Sequence, residues 1–422
     1  MIVKPYPHLG EQVYEEKLKN GLTVQVIPKA GFAKTHAFFA VNYGSMDTRF
    51  SVDGTEFVTP EGVAHYLEHK MFDMPTGNVM QMFSEYGGSP NAFTSYDMTA
   101  YYVSCTDHVK ENLRLLLEFV STPYFTKESV DKERGIIEQE IRMYEDSADS
   151  RVYEDLFAAM YAHHPIRNPI AGTVESIQEI TEETLYACYR AFYTADNMIL
   201  CVVGDVDPHM VFDLAAEVVP KGHAAPKRDY GLPEVMSPCR SRTDRSMEIS
   251  MPMFSLGFKA EPAHCGVEIM RQEIIGELAA EILMGESSAL YSRLYEENLI
   301  DSGFSAGCEG VRGASMISAS GDSRDPDAVL KAIMEEAHRL QTEGLDPDLF
   351  LRLKRSALGR RIRNLDSFSG ITYRMCACHF ESADCLSFPE LFREITMEQV
   401  AEFLSRTVCS SRCAMSVIFP NS

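Results

Sequence analysis

Apolar residues alternate or cluster in short β-branched runs at Leu22-Thr23-Val24-Gln25-Val26-Ile27-Pro28 and around Ala37-Phe38-Phe39-Ala40-Val41. Both read as strands. A hairpin region follows to about residue 105, and helical spacing appears at about 107–120, 127–147, 150–162 and 181–193. The apolar run Met198-Ile199-Leu200-Cys201-Val202-Val203 predicts a buried strand, and a further helix follows at about 208–218. Residues 219–244 carry Pro, Gly, Ser and mixed charge without an apolar period, which predicts a linker. The second half repeats the order: a strand near 254–258, a helix at about 265–284, strands near 303–320, helices near 326–343, 346–364 and 397–405, and a last strand ending in Ser416-Val417-Ile418-Phe419. The expectation is an α+β fold of two homologous domains, each a mainly antiparallel sheet backed by helices. Their expected limits are 1–222 and 245–422, with a linker at 223–244.

One short helical stretch does not fit a simple amphipathic pattern. In Gly62-Val63-Ala64-His65-Tyr66-Leu67-Glu68-His69-Lys70-Met71-Phe72, three titratable groups lie among apolar neighbours. Residues four apart share a helix face, so His65 and His69 can hold one metal ion together, with Glu68 beside them to act on a water. The order H-x-x-E-H is the inverse of H-E-x-x-H and is a zinc-peptidase signature. A capping or surface pair of histidines would read the same over five residues. Against it stands the cost of three polar groups on a largely apolar helix unless they are paired or metal-bound.

A catalytic zinc site needs a third protein ligand. In the helix beginning near residue 127, Ile137, Ile141 and Tyr144 recur at helical spacing and define the expected buried face. Glu140 lies beside them, Glu133 lies on the same face one heptad earlier, and Glu138 falls about 200° away. Periodicity leaves two readings open: Glu140 as third ligand with Glu133 supporting it, or an ordinary acidic helix with boundary carboxylates.

With these residues in view the chain resembles the pitrilysin/insulinase family of zinc metallopeptidases, and most closely its short bacterial branch, where the pentapeptide runs into Lys-Met-Phe. The resemblance rests on His65-x-x-Glu68-His69, Glu133-Arg134 with Glu140, Gly87-Gly88-Ser89-Pro90-Asn91-Ala92-Phe93-Thr94, Thr99-Ala100-Tyr101-Tyr102, His164-Pro165-Ile166, Pro169-Ile170-Ala171-Gly172-Thr173, Asp196-Asn197-Met198 and Val202-Val203-Gly204-Asp205. It is specific over residues 10–215 and mostly architectural over 245–422. It implies one Zn2+ on His65, His69 and Glu140, Glu68 as general base, and Glu133 as a carboxylate supporting the metal site. It further implies that Asn91, Ala92, Phe93 and Thr94 form an edge strand that pairs with an extended peptide substrate. The implied activity is that of a zinc metalloendopeptidase. The second domain, with no H-x-x-E-H, is expected to be a metal-free copy.

The same resemblance exposes a departure. The metal-free half of such enzymes offers an Arg and a Tyr, seven residues apart, to stabilise the oxyanion at the scissile carbonyl. Here Glu297 and Phe304 stand at those places, and neither can do so. Arg293 is the nearest alternative. The expected partner is therefore a second subunit, a homodimer mate or a metal-free paralogue that supplies the Arg/Tyr pair. A non-catalytic, zinc-binding structural or binding subunit of a processing-peptidase-like complex is the alternative.

Composition sets limits. Lys plus Arg total 39 and Asp plus Glu 62, a formal net charge of −23, which argues against nucleic acid or an anionic membrane as the main partner. No apolar run approaches the ~20 residues of a membrane span. The start Met1-Ile2-Val3-Lys4-Pro5 carries no charged-then-apolar signal pattern, so a cytoplasmic location is expected. Eleven cysteines are scattered, and the cluster Cys376, Cys378, His379 and Cys385 fits no standard zinc spacing.

Overall fold

A computed structural model describes residues 1–75, 77–264 and 266–421. The chain forms two compact units, each assembled from three segments. The first comprises Met1–Ile141, Pro169–Asp229 and Ile362–Glu381; the second comprises Arg142–Asn168, Tyr230–Arg361 and Ser382–Ser422. Relative to contiguous halves, a helical segment of each half is thus counted with the other.

In the first unit, seven strands form one sheet in the order Ile2–Tyr6, Glu11–Lys17, Thr23–Pro28, Met198–Gly204, Thr35–Val41, Thr99–Cys105 and Ser89–Thr94. Met198–Gly204 runs parallel to Thr23–Pro28 and every other pairing is antiparallel. In the second unit, five strands follow the order Arg242–Met247, Cys413–Pro420, Met253–Ala260, Ala314–Asp322 and Ser305–Val311. Here the first pair is parallel and the rest antiparallel. The five strands of the second sheet therefore repeat the last five of the first, in order and in sense, and both domains have the same mixed, antiparallel-rich architecture.

The central strands are buried on both faces. Val24, Val26, Ala37, Phe39, Val41, Tyr101, Val103, Leu200 and Val202 point into a core with the helices Val109–Val120 and Glu182–Phe192. The alternate residues meet the helix Phe368–Phe380, which packs on Met198–Gly204 and Thr35–Val41. Phe32 and Phe38 of the first unit contact Phe368 and Tyr373 at ring-centroid distances of 5.5 and 6.5 Å. In the second unit the corresponding layer is the helix Ala148–Met160, packed on Cys413–Pro420 and Met253–Ala260. These two helices hold matching places in the two repeats: each is the third helix after its hairpin.

Several expectations need adjustment. Tyr144, placed on the buried face of its helix by periodicity, is 38% exposed, because it lies at the helix's C-terminal end beyond the last buried residue, Ile141. Helix 265–284 is seen as Gly266–Met284, and Cys265 lies outside the described residues. The helix Phe368–Phe380 gave no amphipathic signal, and the cysteines Cys376 and Cys378 are buried within it. The stretch 219–244 is fastened by polar contacts that hydropathy does not register. Arg228 donates to Asp47 at 2.9 Å and stacks over Phe192. Glu234 accepts the backbone N–H groups of Ala162, His163 and His164 and pairs with Lys259.

Candidate metal centre

The helix Val63–Lys70 begins at Gly62, whose φ of +85° is one that side chains resist. A Cβ at Gly62 would fall 2.3 Å from the carbonyl oxygen of Ala171. Opposite it, Gly172 also has a positive φ, and a Cβ there would meet the Glu61 carbonyl oxygen at 2.6 Å. The Ala171-Gly172-Thr173 motif is thus a close backbone seat for the first turn of this helix. Val63, Ala64, Tyr66 and Leu67 anchor the helix in the core, and the Tyr66 hydroxyl donates to the carbonyl oxygen of Val130 on the helix Lys127–Asp146. That tie sets the two helices side by side.

The result is a convergence of three candidate ligands. His65 Nε2 lies 3.6 Å from Glu140 Oε1, and His69 Nε2 lies 3.4 Å from Glu140 Oε2. One ligand atom from each of His65, His69 and Glu140 lies within 4.8 Å of the others, and this is the one such cluster among the described residues. These separations exceed a good N–H···O bond. They approach the ~3.3 Å between neighbouring ligand atoms that tetrahedral geometry with zinc bonds of about 2.0–2.1 Å requires. Two imidazoles and one carboxylate are also a donor set of the kind catalytic zinc takes. The residues present fit a zinc ion.

Around them, Glu133 Oε1 lies 3.1 Å from His69 Nδ1. With the proton on Nδ1, that bond turns the Nε2 lone pair toward Glu140 and His65. His65 differs: its Nδ1 is buried with no hydrogen-bond partner among the described residues, so packing, including the His69 ring at 4.6 Å, fixes its orientation. Glu68 is 7% exposed and accepts a hydrogen bond from Thr94 Oγ1 at 2.9 Å. Burial pushes its carboxyl above the ordinary value, and the Glu140 carboxylate adds to this against the lowering effects of His65, His69 and Thr94. At His69 burial disfavours the charged ring, but Glu133, Glu68 and Glu140 together outweigh it and hold the imidazole above its usual range.

Asn91, Ala92, Phe93 and Thr94 lie on Ser89–Thr94, one of the two edge strands of the seven-stranded sheet. The structure brings Thr94 to Glu68. It keeps Glu297 exposed and Arg293 exposed on the second unit. Phe304 is buried there against Phe254 and Tyr291, with ring centroids at 6.4 and 6.0 Å. In that unit, the helix Gly266–Met284 occupies the place of the histidine helix, and Glu277 and Glu281 on it pair with Arg360 at 2.9 and 2.6 Å. A half-exposed guanidinium ties carboxylates four residues apart, where the first unit gathers histidines four apart. Sequence reasoning missed Gly62, Gly172 and Lys70. Gly62 and Gly172 stand within the quoted motifs, but nothing in the sequence shows that their backbones meet.

The fold and the site together define an M16-type metallopeptidase architecture, and the comparisons agree. Residues 55–174 match the model of the insulinase group, peptidase family M16, and residues 179–357 match that of the peptidase M16 inactive domain. The chain belongs to the M16 peptidase family. It is 37% identical to the uncharacterised zinc protease YmfH of Bacillus subtilis over 429 aligned residues, covering all of both chains. It is 25% identical to the zinc protease PqqE of Helicobacter pylori over 68% of this chain and 64% of that one. A solved M16-like peptidase from Alicyclobacillus acidocaldarius superposes with a TM-score of 0.94 at 31% identity, covering 100% of each chain.

Proposed function

We propose that this chain is a zinc-dependent endopeptidase that hydrolyses peptides or small unfolded polypeptides, and that a second subunit completes its active site. The observation that carries the reading is the convergence of His65, His69 and Glu140 with the buried Glu68 carboxylate, which Thr94 ties to an edge strand.

A zinc ion bound there would act as a Lewis acid and would lower the pKa of a water toward about 7. His65, His69 and Glu140 would hold it, and Glu133, 3.1 Å from His69 Nδ1, would keep the His69 proton on that nitrogen. Glu68 takes the proton from the attacking water and returns it to the leaving amine, a role suited to a carboxyl raised by burial. The strand Ser89–Thr94 receives the substrate backbone as an added strand, so that main-chain hydrogen bonds set its direction past Glu68. Thr94 holds the Glu68 carboxylate in one orientation during this exchange.

The need for a partner rests on Phe304 and Glu297. Phe304 is a packing residue of the second unit, and neither side chain can donate to an oxyanion. A metal-free paralogue supplies the missing donors, since a second copy would carry the same Glu297 and Phe304. The second reading, a non-catalytic zinc-binding subunit, draws on the match to the inactive-domain model. A peptide-library cleavage screen of the purified chain, with and without a co-expressed metal-free paralogue, tests both. Cleavage by the pair and not by the chain alone is the expected result. No cleavage with any partner by a zinc-loaded protein supports the second reading, and full activity alone removes the partner requirement.

A further inference from the structure

Lys70 directly follows the histidine motif and is the last residue of its helix, yet it is 1% exposed. A buried ammonium costs several kcal/mol unless it is paired. Its partners are two carboxylates: Asp73 by a short ion pair, and Glu133, whose Oε2 lies 4.0 Å from Nζ. The other oxygen of Glu133 faces His69 Nδ1 at 3.1 Å. Glu133 is therefore held from both sides, by a fixed positive charge at one oxygen and the ligand imidazole at the other. The Asp73 side chain is 41% exposed and can be solvated, whereas Glu133 is 18% exposed and depends more on Lys70 for compensation.

We infer that Lys70 is a positioning residue for the metal centre: it holds Glu133 as the acceptor for His69 Nδ1–H and so fixes the His69 tautomer that presents Nε2 to zinc. It touches neither metal nor substrate, and its effect passes through Glu133. This rests on the metal-binding half of the function proposed above, and not on peptide hydrolysis.

The test is a double-mutant cycle read out as zinc affinity, by competition against a chromophoric chelator on folded protein. Removal of an outer partner of a metal-ligating histidine costs about 10- to 100-fold in metal affinity. Lys70→Met and Glu133→Gln are each expected to weaken zinc binding by about that factor. The double variant is expected to match Glu133→Gln alone, because residues acting through one another do not add. Lys70→Arg is expected to restore most of the affinity. Wild-type zinc affinity in Lys70→Met, or losses that multiply in the double variant, overturns the inference. If Lys70→Met does not fold, Lys70→Gln removes the charge while keeping an N–H donor, and the same cycle applies. A wild-type chain that binds zinc but cleaves nothing, even with a metal-free paralogue, leaves this inference standing and rejects the peptidase reading instead.

Discussion

Thr94 Oγ1 donates to Glu68 Oε2 at 2.9 Å, joining an edge strand of the first sheet to the helix that carries the candidate ligands. A hydrogen bond to a buried carboxylate contributes about 1.5–3 kcal/mol. Thr94→Val keeps the shape and removes the donor. Peptide turnover is expected to fall about tenfold or more, with zinc content unchanged by elemental analysis. Unchanged turnover would mean that Glu68 needs no such restraint.

Glu68 and His65 lie one helical turn apart, and the proposed mechanism gives them different work. Glu68→Gln is expected to retain zinc and lose turnover by orders of magnitude, because the amide cannot accept the proton. His65→Ala is expected to lose the metal. Near-normal turnover in Glu68→Gln rules out the general-base assignment.

Metal removal has a stability consequence separate from catalysis. His65 and His69 on one helix meet Glu140 on another, so an ion there cross-links two elements. At free zinc about 100-fold above Kd, linkage gives about 2.7 kcal/mol of stabilisation. Chelation is expected to lower Tm, and readdition of zinc to restore it. A Tm that does not respond to chelator in a zinc-loaded sample contradicts this.

Gly62→Ala is expected to damage the site from outside it. The left-handed backbone alone costs about 1–2 kcal/mol, and the new methyl meets the Ala171 carbonyl oxygen. The expected outcome is a lower urea midpoint together with weaker zinc binding, because the helix start must shift. A variant with normal values for both would show that this seat is softer than its geometry implies.

In the second unit the stability of the Glu234 network should depend on acid. Burial pushes the Glu234 carboxyl up, but three backbone N–H donors and Lys259 outweigh it and hold it down at about 2. A carboxyl whose pKa is depressed on folding stabilises fully above its unfolded value of 4.5, and that contribution is lost as pH falls through about 2. Glu234→Ala also leaves Lys259, 2% exposed, without its charged partner, and is expected to cost about 3 kcal/mol at neutral pH. The difference in urea midpoint between wild type and variant should narrow between pH 4.5 and 2. A constant difference over that range counts against the linkage.

Much of this fold could be read from pattern. The strands around Phe39 and Leu200 carry continuous apolar runs because both faces of a central strand are covered. His65, Glu68 and His69 stand out as polar groups on an apolar helix, whereas periodicity only places Glu140 on a buried face and the family resemblance gives it a ligand's role. What escaped was whatever depends on partners distant in sequence. The helix Phe368–Phe380 has apolar, small and sulfur-bearing residues on several sides, so no stripe marks it. Tyr144 continues an apolar period past the point where its helix still meets the core. Nothing in the sequence marks Lys70 as buried, and only the fold brings Asp73 and Glu133 to it. Thr94 read as one residue of a substrate-binding strand, and its bond to Glu68 is a tertiary fact.

The exchanged helices bear on how the chain is made. During synthesis the first sheet and its histidines emerge within the first 204 residues, but Phe368–Phe380, which covers one face of that sheet, is translated last among its parts. At ~5–20 residues per second, the gap is roughly ten to thirty seconds. Through that interval a broad apolar face lies open on the ribosome, and a gene cut between the two repeats would leave each fragment without a helix of its own core.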